Sequence, residues 1–132
     1  MRDLRHLNLF VGVTGVPTRY CFEYNNAIIF CVPRAQVSKS IGREAQNVRK
    51  ISGIIKKRVK VIPKPNGIED VKWFIEKIVE PIQFKEIEIK DDEVILTAGS
   101  QSKAALLGRH KRRLIEMQKI IKNFFGKEFR IV

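Results

Sequence analysis

The chain is poor in the residues that carry catalysis and covalent cross-links. Its 132 residues include two cysteines, two histidines and one tryptophan. Cys21 and Cys31 lie in apolar runs and lack the C-x-x-C spacing of a redox or metal site, so we expect two buried free thiols. His6 and His110 belong to no Ser/His/Asp or metal-ligand grouping, and the chain has no G-x-x-x-x-G-K-[ST] nucleotide loop. We therefore expect no enzymatic activity, no cofactor and no bound metal.

The chain also lacks a long apolar run and is short of acidic residues. No run could span a bilayer and the first residues lack a signal-peptide core, so we expect a soluble, cytoplasmic protein without a membrane partner. Lysine and arginine number 26 against 14 acidic residues, a net charge of +12. Residues 34–64 carry +9 and residues 100–132 carry +7, whereas residues 67–99 carry −5. A basic surface alone would explain the total but not this clustering, which favours a polyanion as partner, most commonly nucleic acid.

An internal repeat organises the chain. Residues 27–43 align without a gap on residues 93–109, which places Gly42 on Gly108. The later segments KRVKVI and KEFRIV also match each other. Each unit is of a length at which a domain is only marginally stable alone, so we expect two similar units that pack together.

Each half is predicted to run helix, strand, strand, helix, turn, helix, strand. Asn25-Asn26 and Asp91-Asp92 are suited to the two-residue hairpin turns between the paired strands. Ser100 is expected to cap the first of the two helices around the second turn. We expect domains at residues 1–62 and 68–132, joined by a proline-containing linker at residues 63–67.

A glycine turn followed by a helix is suited to holding a nucleic-acid backbone. Glycine has no Cβ, so a phosphate can approach the chain closely, and the helix start presents unpaired N–H groups. Arg43 and Arg109 stand directly after the glycines and offer charge-assisted hydrogen bonds. A single such glycine would more simply end one helix before the next, but the recurrence of the turn favours a functional interpretation.

The order of elements and the stretch IGREAQNVR resemble the type II KH domain, and two such units in one short chain resemble the archaeal NusA-like transcription factors. The resemblance implies an α+β fold of two tandem KH-like units, each a three-stranded mixed sheet with helices packed on one face. A groove beside each turn would hold a few unpaired nucleotides. It implies nascent single-stranded RNA as partner, RNA polymerase as a candidate protein partner, and a monomer.

Carried onto this sequence, the resemblance implies RNA contacts from both turns and their surroundings. In the first unit the implied residues are Lys39, Ile41, Gly42, Arg43, Asn47, Arg49 and Lys50. In the second unit they are Leu107, Gly108, Arg109, His110, Lys111, Arg112 and Arg113. The glycines and the arginines after them would meet the RNA backbone, and the aliphatic residues before them would help to floor the groove.

The second glycine of the family's turn is absent from both units. Ala45 takes its place in the first unit and is expected to tolerate helical geometry there; Lys111 takes it in the second. Glu44 would repel a phosphate beside Arg43. Two functions are therefore open: an RNA-binding factor in transcription elongation, termination or antitermination, or a KH-fold module that docks on RNA polymerase or a ribosomal particle.

Overall fold

The two halves of the chain contain the same succession of helices and strands. The structure, a computed structural model, describes residues 3–132; Met1 and Arg2, at the start of the first expected domain, lie outside the described residues. The first unit contains α1 (Leu4–Thr14), β1 (Tyr20–Tyr24), β2 (Ala27–Val32), α2 (Val37–Ile41), α3 (Gln46–Ile55) and β3 (Arg58–Pro63). The second contains α4 (Val71–Val79), β4 (Glu86–Lys90), β5 (Glu93–Thr97), α5 (Lys103–Leu107), α6 (Arg112–Phe125) and β6 (Glu128–Ile131).

Each unit forms its own three-stranded mixed sheet, and the expected α+β fold of tandem KH-like units is confirmed. In the first sheet β2 lies in the centre, antiparallel to β1 and parallel to β3. In the second sheet β5 lies in the centre, antiparallel to β4 and parallel to β6. The chain divides into two compact units, Met1–Lys64 and Pro65–Val132. The regular structure of β3 runs through Pro63, and the N–H of Lys64 still bonds to the carbonyl of Val32 at 2.8 Å.

Local turn chemistry accounts for the hairpins and for the end of the first helix. Asn25 and Asn26 have φ values of 51° and 62°, the left-handed conformation that a two-residue hairpin turn requires and that asparagine tolerates. Asp91 has φ 55° in the corresponding turn of the second unit. Gly15, with φ 74°, ends α1 and returns its N–H to the carbonyl of Val11 at 2.8 Å.

The core of the first unit lies between the sheet and its helices. Alternate strand residues face α1 and α3, and the Phe10 and Phe30 rings stack with centroids 4.4 Å apart. The buried residues of this core are Leu7, Phe10, Val16, Cys21, Ile28, Phe30, Val32, Ile51 and Val59. Cys21 and Cys31 are buried free thiols, as expected, and burial raises the pKa of the Cys21 thiol to about 12.

The second unit buries the apolar faces of α4 and α6. The Phe74 ring of α4 meets Phe124 and Phe125 near the end of α6, with centroids 4.9 Å and 5.8 Å away. Leu96 of the central strand and Ile120 of α6 are almost fully buried. No helix between residues 3 and 132 is both long and apolar enough to cross a membrane.

The expected helix cap at Ser100 is wrong. The residue at the N-cap of α5 is Ser102, and its side chain makes no capping hydrogen bond. The chain first turns tightly at Gly99, whose carbonyl accepts the N–H groups of both Ser102 and Lys103 at 3.0 Å. This backbone turn supplies partners for the donors that a serine cap would otherwise satisfy.

Candidate functional site

The two glycine turns have the same backbone conformation. We call residues 42–45 the first turn and residues 108–111 the second turn. Gly42 has φ 81° and ψ 168°, and Gly108 has φ 76° and ψ 171°. In both turns the last residue returns its N–H to the carbonyl of the glycine at 3.1 Å. The two copies of the sequence repeat thus have matching backbone dihedral angles and a matching hydrogen bond at their turns.

The backbone of Gly42 and Gly108 requires glycine. Their φ and ψ values lie in a region that residues with a side chain almost never occupy. A Cβ on Gly42 would lie 2.9 Å from the carboxamide carbon of Asn47, and one on Gly108 would lie 2.8 Å from Cγ of Arg113. Any other residue at either position would therefore have both an unfavourable backbone conformation and a steric clash of its Cβ.

The two residues before each second helix are left-handed. Glu44 has φ 53° and Ala45 has φ 59°, matched by 56° at His110 and 59° at Lys111. The expectation of helical geometry at Ala45 is wrong, because α3 begins only at Gln46. The cause is the turn itself, since only four residues connect one helix to the next. A side chain in the left-handed region costs about 1–2 kcal/mol, so each turn holds strain that a second glycine would relieve.

In each unit, a side chain of the helix after the turn donates a hydrogen bond to the backbone of the helix before the turn. Asn47 Nδ2 donates to the carbonyl of Lys39 at 3.2 Å, and Arg113 Nη1 donates to the carbonyl of Ala105 at 2.8 Å. Both bonds join residues eight positions apart and occupy equivalent places in the repeat. Each accepting carbonyl lies in the last turn of a short helix, where backbone acceptors lack helical partners. Sequence reasoning treated both side chains as RNA contacts and missed this role, although the repeat alignment places Asn47 on Arg113.

The other candidate residues of both turns present their charges to solvent. The exposed ones are Lys39, Arg43, Arg49, Lys50, Arg109, His110, Lys111 and Arg112. Ile41 and Leu107 are half-buried, as are the two glycines after them. Within residues 3–132, no carboxylate lies within ion-pair distance of any of these basic side chains. The cations are therefore available to a ligand.

The two turns differ in electrostatics. Glu44 places an exposed carboxylate in the middle of the first turn, next to Arg43. The equivalent position in the second turn is His110, flanked by Arg109 and Lys111. The second turn therefore offers an anion a more favourable field at the same backbone geometry. No group of three or more His, Cys, Asp or Glu residues that could hold a metal ion occurs in the described part of the chain.

The turns lie beside edge strands. In the first unit α2 and α3 both contact β3, which pairs only with β2 and forms one border of the sheet. In the second unit α6 contacts β6, which forms the equivalent border. In each unit a helix that adjoins the turn thus contacts the strand at one border of the sheet.

Comparisons with known proteins agree with this architecture. No family model matches the chain. The chain is 26% identical over 88 residues to the probable transcription termination protein NusA of Methanococcus vannielii; the match covers 67% of this chain and 49%, about half, of the relative. The crystal structure of APE1850 superposes with a TM-score of 0.70 at 20% identity and covers 98% of this chain and 96% of that one. The chain therefore has an α+β fold of two tandem KH-like units and a partial similarity to an archaeal NusA protein.

Proposed function

We propose that the chain binds single-stranded RNA on its two glycine turns and acts in transcription as a NusA-like factor. The observation that carries this proposal is the duplication of one turn geometry with exposed basic side chains around it. Gly42 and Gly108 give both turns the same backbone conformation, and the exposed Arg43 and Arg109 stand directly after them. Nascent RNA is the proposed ligand, RNA polymerase the proposed protein partner, and residues 1–62 and 68–132 the proposed domains.

Phosphate contacts from these turns position RNA without reading its sequence. Guanidinium and ammonium groups meet phosphate oxygens, which every nucleotide carries, whereas base selection depends on the groove beside Ile41 and Leu107. We therefore expect modest base preference and strong dependence on salt. Each neutralised phosphate contributes a slope of about −0.7 to a plot of log affinity against log salt concentration for a single strand.

A second function has two observations in its favour. Glu44 opposes phosphate binding at the first turn, and neither unit has the second glycine of the KH turn. A unit that had lost RNA binding would serve as a docking module on RNA polymerase or a ribosomal particle. The unpaired cations at the second turn favour RNA binding over this alternative.

Fluorescence anisotropy of a short unpaired RNA across a salt series tests the proposal. Arg43→Asp and Arg109→Asp are compared singly and together, since both side chains are exposed and neither supports the core. We expect each single variant to weaken binding by about tenfold and the double variant to lower the salt slope as well. Lys56→Asp, at an exposed lysine at the end of α3, is the control for a change of net charge. Wild-type affinity in the double variant would favour the docking module.

A further inference from the structure

A cavity of about 360 Å³ opens at one end of the first sheet. It lies where β1 begins and where β2 and β3 end. Its lining includes Pro17, Thr18, Arg19, Tyr20, Pro33 and Lys64, all from the first unit. Its volume falls in the range of about 300–1,000 Å³ that is typical of small-molecule sites. None of these residues belongs to the first turn.

Two cations without an acidic partner lie at this cavity. Lys64 Nζ sits 4.7 Å from the centroid of the Tyr20 ring, a cation–π contact that holds the ammonium group over the ring. Arg19 is exposed at the start of β1. Within residues 3–132, no carboxylate is within ion-pair distance of Lys64 or Arg19. The cavity therefore favours an anion.

The remaining wall is neutral. Thr18 Oγ1 donates to the carbonyl of Cys31 and accepts the N–H of Tyr20 at 3.2 Å, so its one donor is already used. Burial raises the pKa of the Cys31 thiol, which keeps this residue uncharged at neutral pH. Pro17 and Pro33 add apolar surface. An anionic group would thus bind through the two cations, and an attached flat or apolar group would lie on the proline side.

We propose that this cavity binds one nucleotide unit, with its phosphate between Lys64 and Arg19. The inference rests on the proposed function, because RNA supplies such units. Pro33 begins the segment that leads through α2 to Gly42, and the rises of its short helices give a path of about 14 Å. A strand held on the first turn can therefore extend to the cavity. The same chemistry would also accept a free mononucleotide.

The second unit carries different side chains at the repeat-equivalent positions, which provides a matched control. The repeat places Glu86 on Tyr20 and Lys85 on Arg19, so a carboxylate replaces the aromatic ring. Lys85 is exposed, and its backbone N–H donates to the carbonyl of Thr97 at 2.8 Å. Removal of its charge changes the net charge of the chain as Arg19→Gln does but leaves the cavity intact.

The test compares Lys64→Gln and Arg19→Gln with Lys85→Gln. Anisotropy is measured with an unpaired RNA of about four nucleotides, the length that one KH turn clamps, and with one of about twice that length. We expect both cavity variants to bind the longer RNA about tenfold more weakly and the shorter one as wild type does. The control variant should bind both as wild type does. Equal affinity of all variants for the longer RNA excludes an RNA nucleotide from the cavity.

Adenosine 5′-monophosphate distinguishes the two sources of the nucleotide. Adenosine 5′-monophosphate is titrated into the protein and backbone amide chemical shifts are recorded by NMR. Chemical-shift changes at residues 18–20 and Lys64 that disappear in Lys64→Gln indicate a site for a free nucleotide, independently of the affinity measured for the longer RNA. No shifts together with unchanged RNA affinity would overturn the inference. Arg43→Asp separates this result from the main proposal, because it tests the first turn alone. If Arg43→Asp and Arg109→Asp bind RNA with wild-type affinity, the proposed function is wrong. The mononucleotide titration then still shows whether the cavity binds a nucleotide.

Discussion

Replacement of Ala45 by glycine is expected to stabilise the first unit. Ala45 has φ 59° and ψ 27°, a conformation that costs a residue with a side chain about 1–2 kcal/mol and costs glycine nothing. Glycine also lowers the free energy of unfolding by about 0.4–1 kcal/mol because it makes the unfolded chain more flexible. The alanine side chain makes no capping hydrogen bond that the change would remove. The net gain is therefore about 1 kcal/mol, or about 4–8 °C in Tm for a domain of this size.

Scanning calorimetry measures this gain, and Ala35→Gly is the matched control. Ala35 is exposed in the 3₁₀ segment Arg34–Gln36 and has no positive φ, so glycine there should lower stability by about 0.5–1 kcal/mol. The same alanine-to-glycine change thus has opposite signs at two sites in one unit. Lys111→Gly should stabilise the second unit for the same reason, with the fluorescence of Trp73, the only tryptophan, as its readout.

A single outcome would refute this reasoning. If Ala45→Gly lowers Tm as Ala35→Gly does, residue 45 is helical and not in the left-handed region. RNA affinity of Ala45→Gly provides a second check. Because the backbone of the turn is unchanged by the substitution, affinity should stay at the wild-type value or rise as the turn becomes better ordered.

Two further predictions concern charge and pH. Glu44→Gln should raise RNA affinity by about twofold to fivefold, and His110→Glu should lower it to a similar extent. The reason is that each substitution changes one exposed charge within a turn. Unchanged affinity of both variants in anisotropy titrations would show that the turns do not face the ligand. Burial raises the pKa of Cys21 from its ordinary value of 9.0 to about 12, so only the unfolded thiol ionises between these values. Stability should therefore fall as the pH rises above 9.0 and depend less on pH in Cys21→Ala; identical pH profiles in urea unfolding would contradict this assignment.

The parts of the fold that depend on neighbours in sequence could be predicted from the sequence. Helical spacing of apolar residues indicated the helices, runs of strand-forming residues indicated the strands, and Asn25-Asn26 indicated the first hairpin turn. The internal repeat of the sequence indicated the positions of both glycine turns. These features follow from local backbone preferences and periodicity, which are properties of short segments.

The roles of Asn47 and Arg113 were decided by the tertiary structure. A motif places both side chains near a turn but does not say whether they face a ligand or return to the preceding helix. The answer depends on the angle at which two helices leave the turn. The left-handed conformation of Ala45 has the same origin, because alanine by itself prefers a helix and only the required reversal of the chain overrides that preference.

By itself, the sequence determined that the chain consists of two similar α+β units, that each carries a glycine turn, and that positive charge surrounds both turns. The tertiary structure alone decided that Lys64 reaches the Tyr20 ring and that both form a cavity with Arg19. Lys64 follows Tyr20 by 44 residues in the chain, and their contact depends on strand order and register in the sheet. Strand pairing over such a distance is set by the packing of the whole unit, because no local preference of either segment specifies its partner.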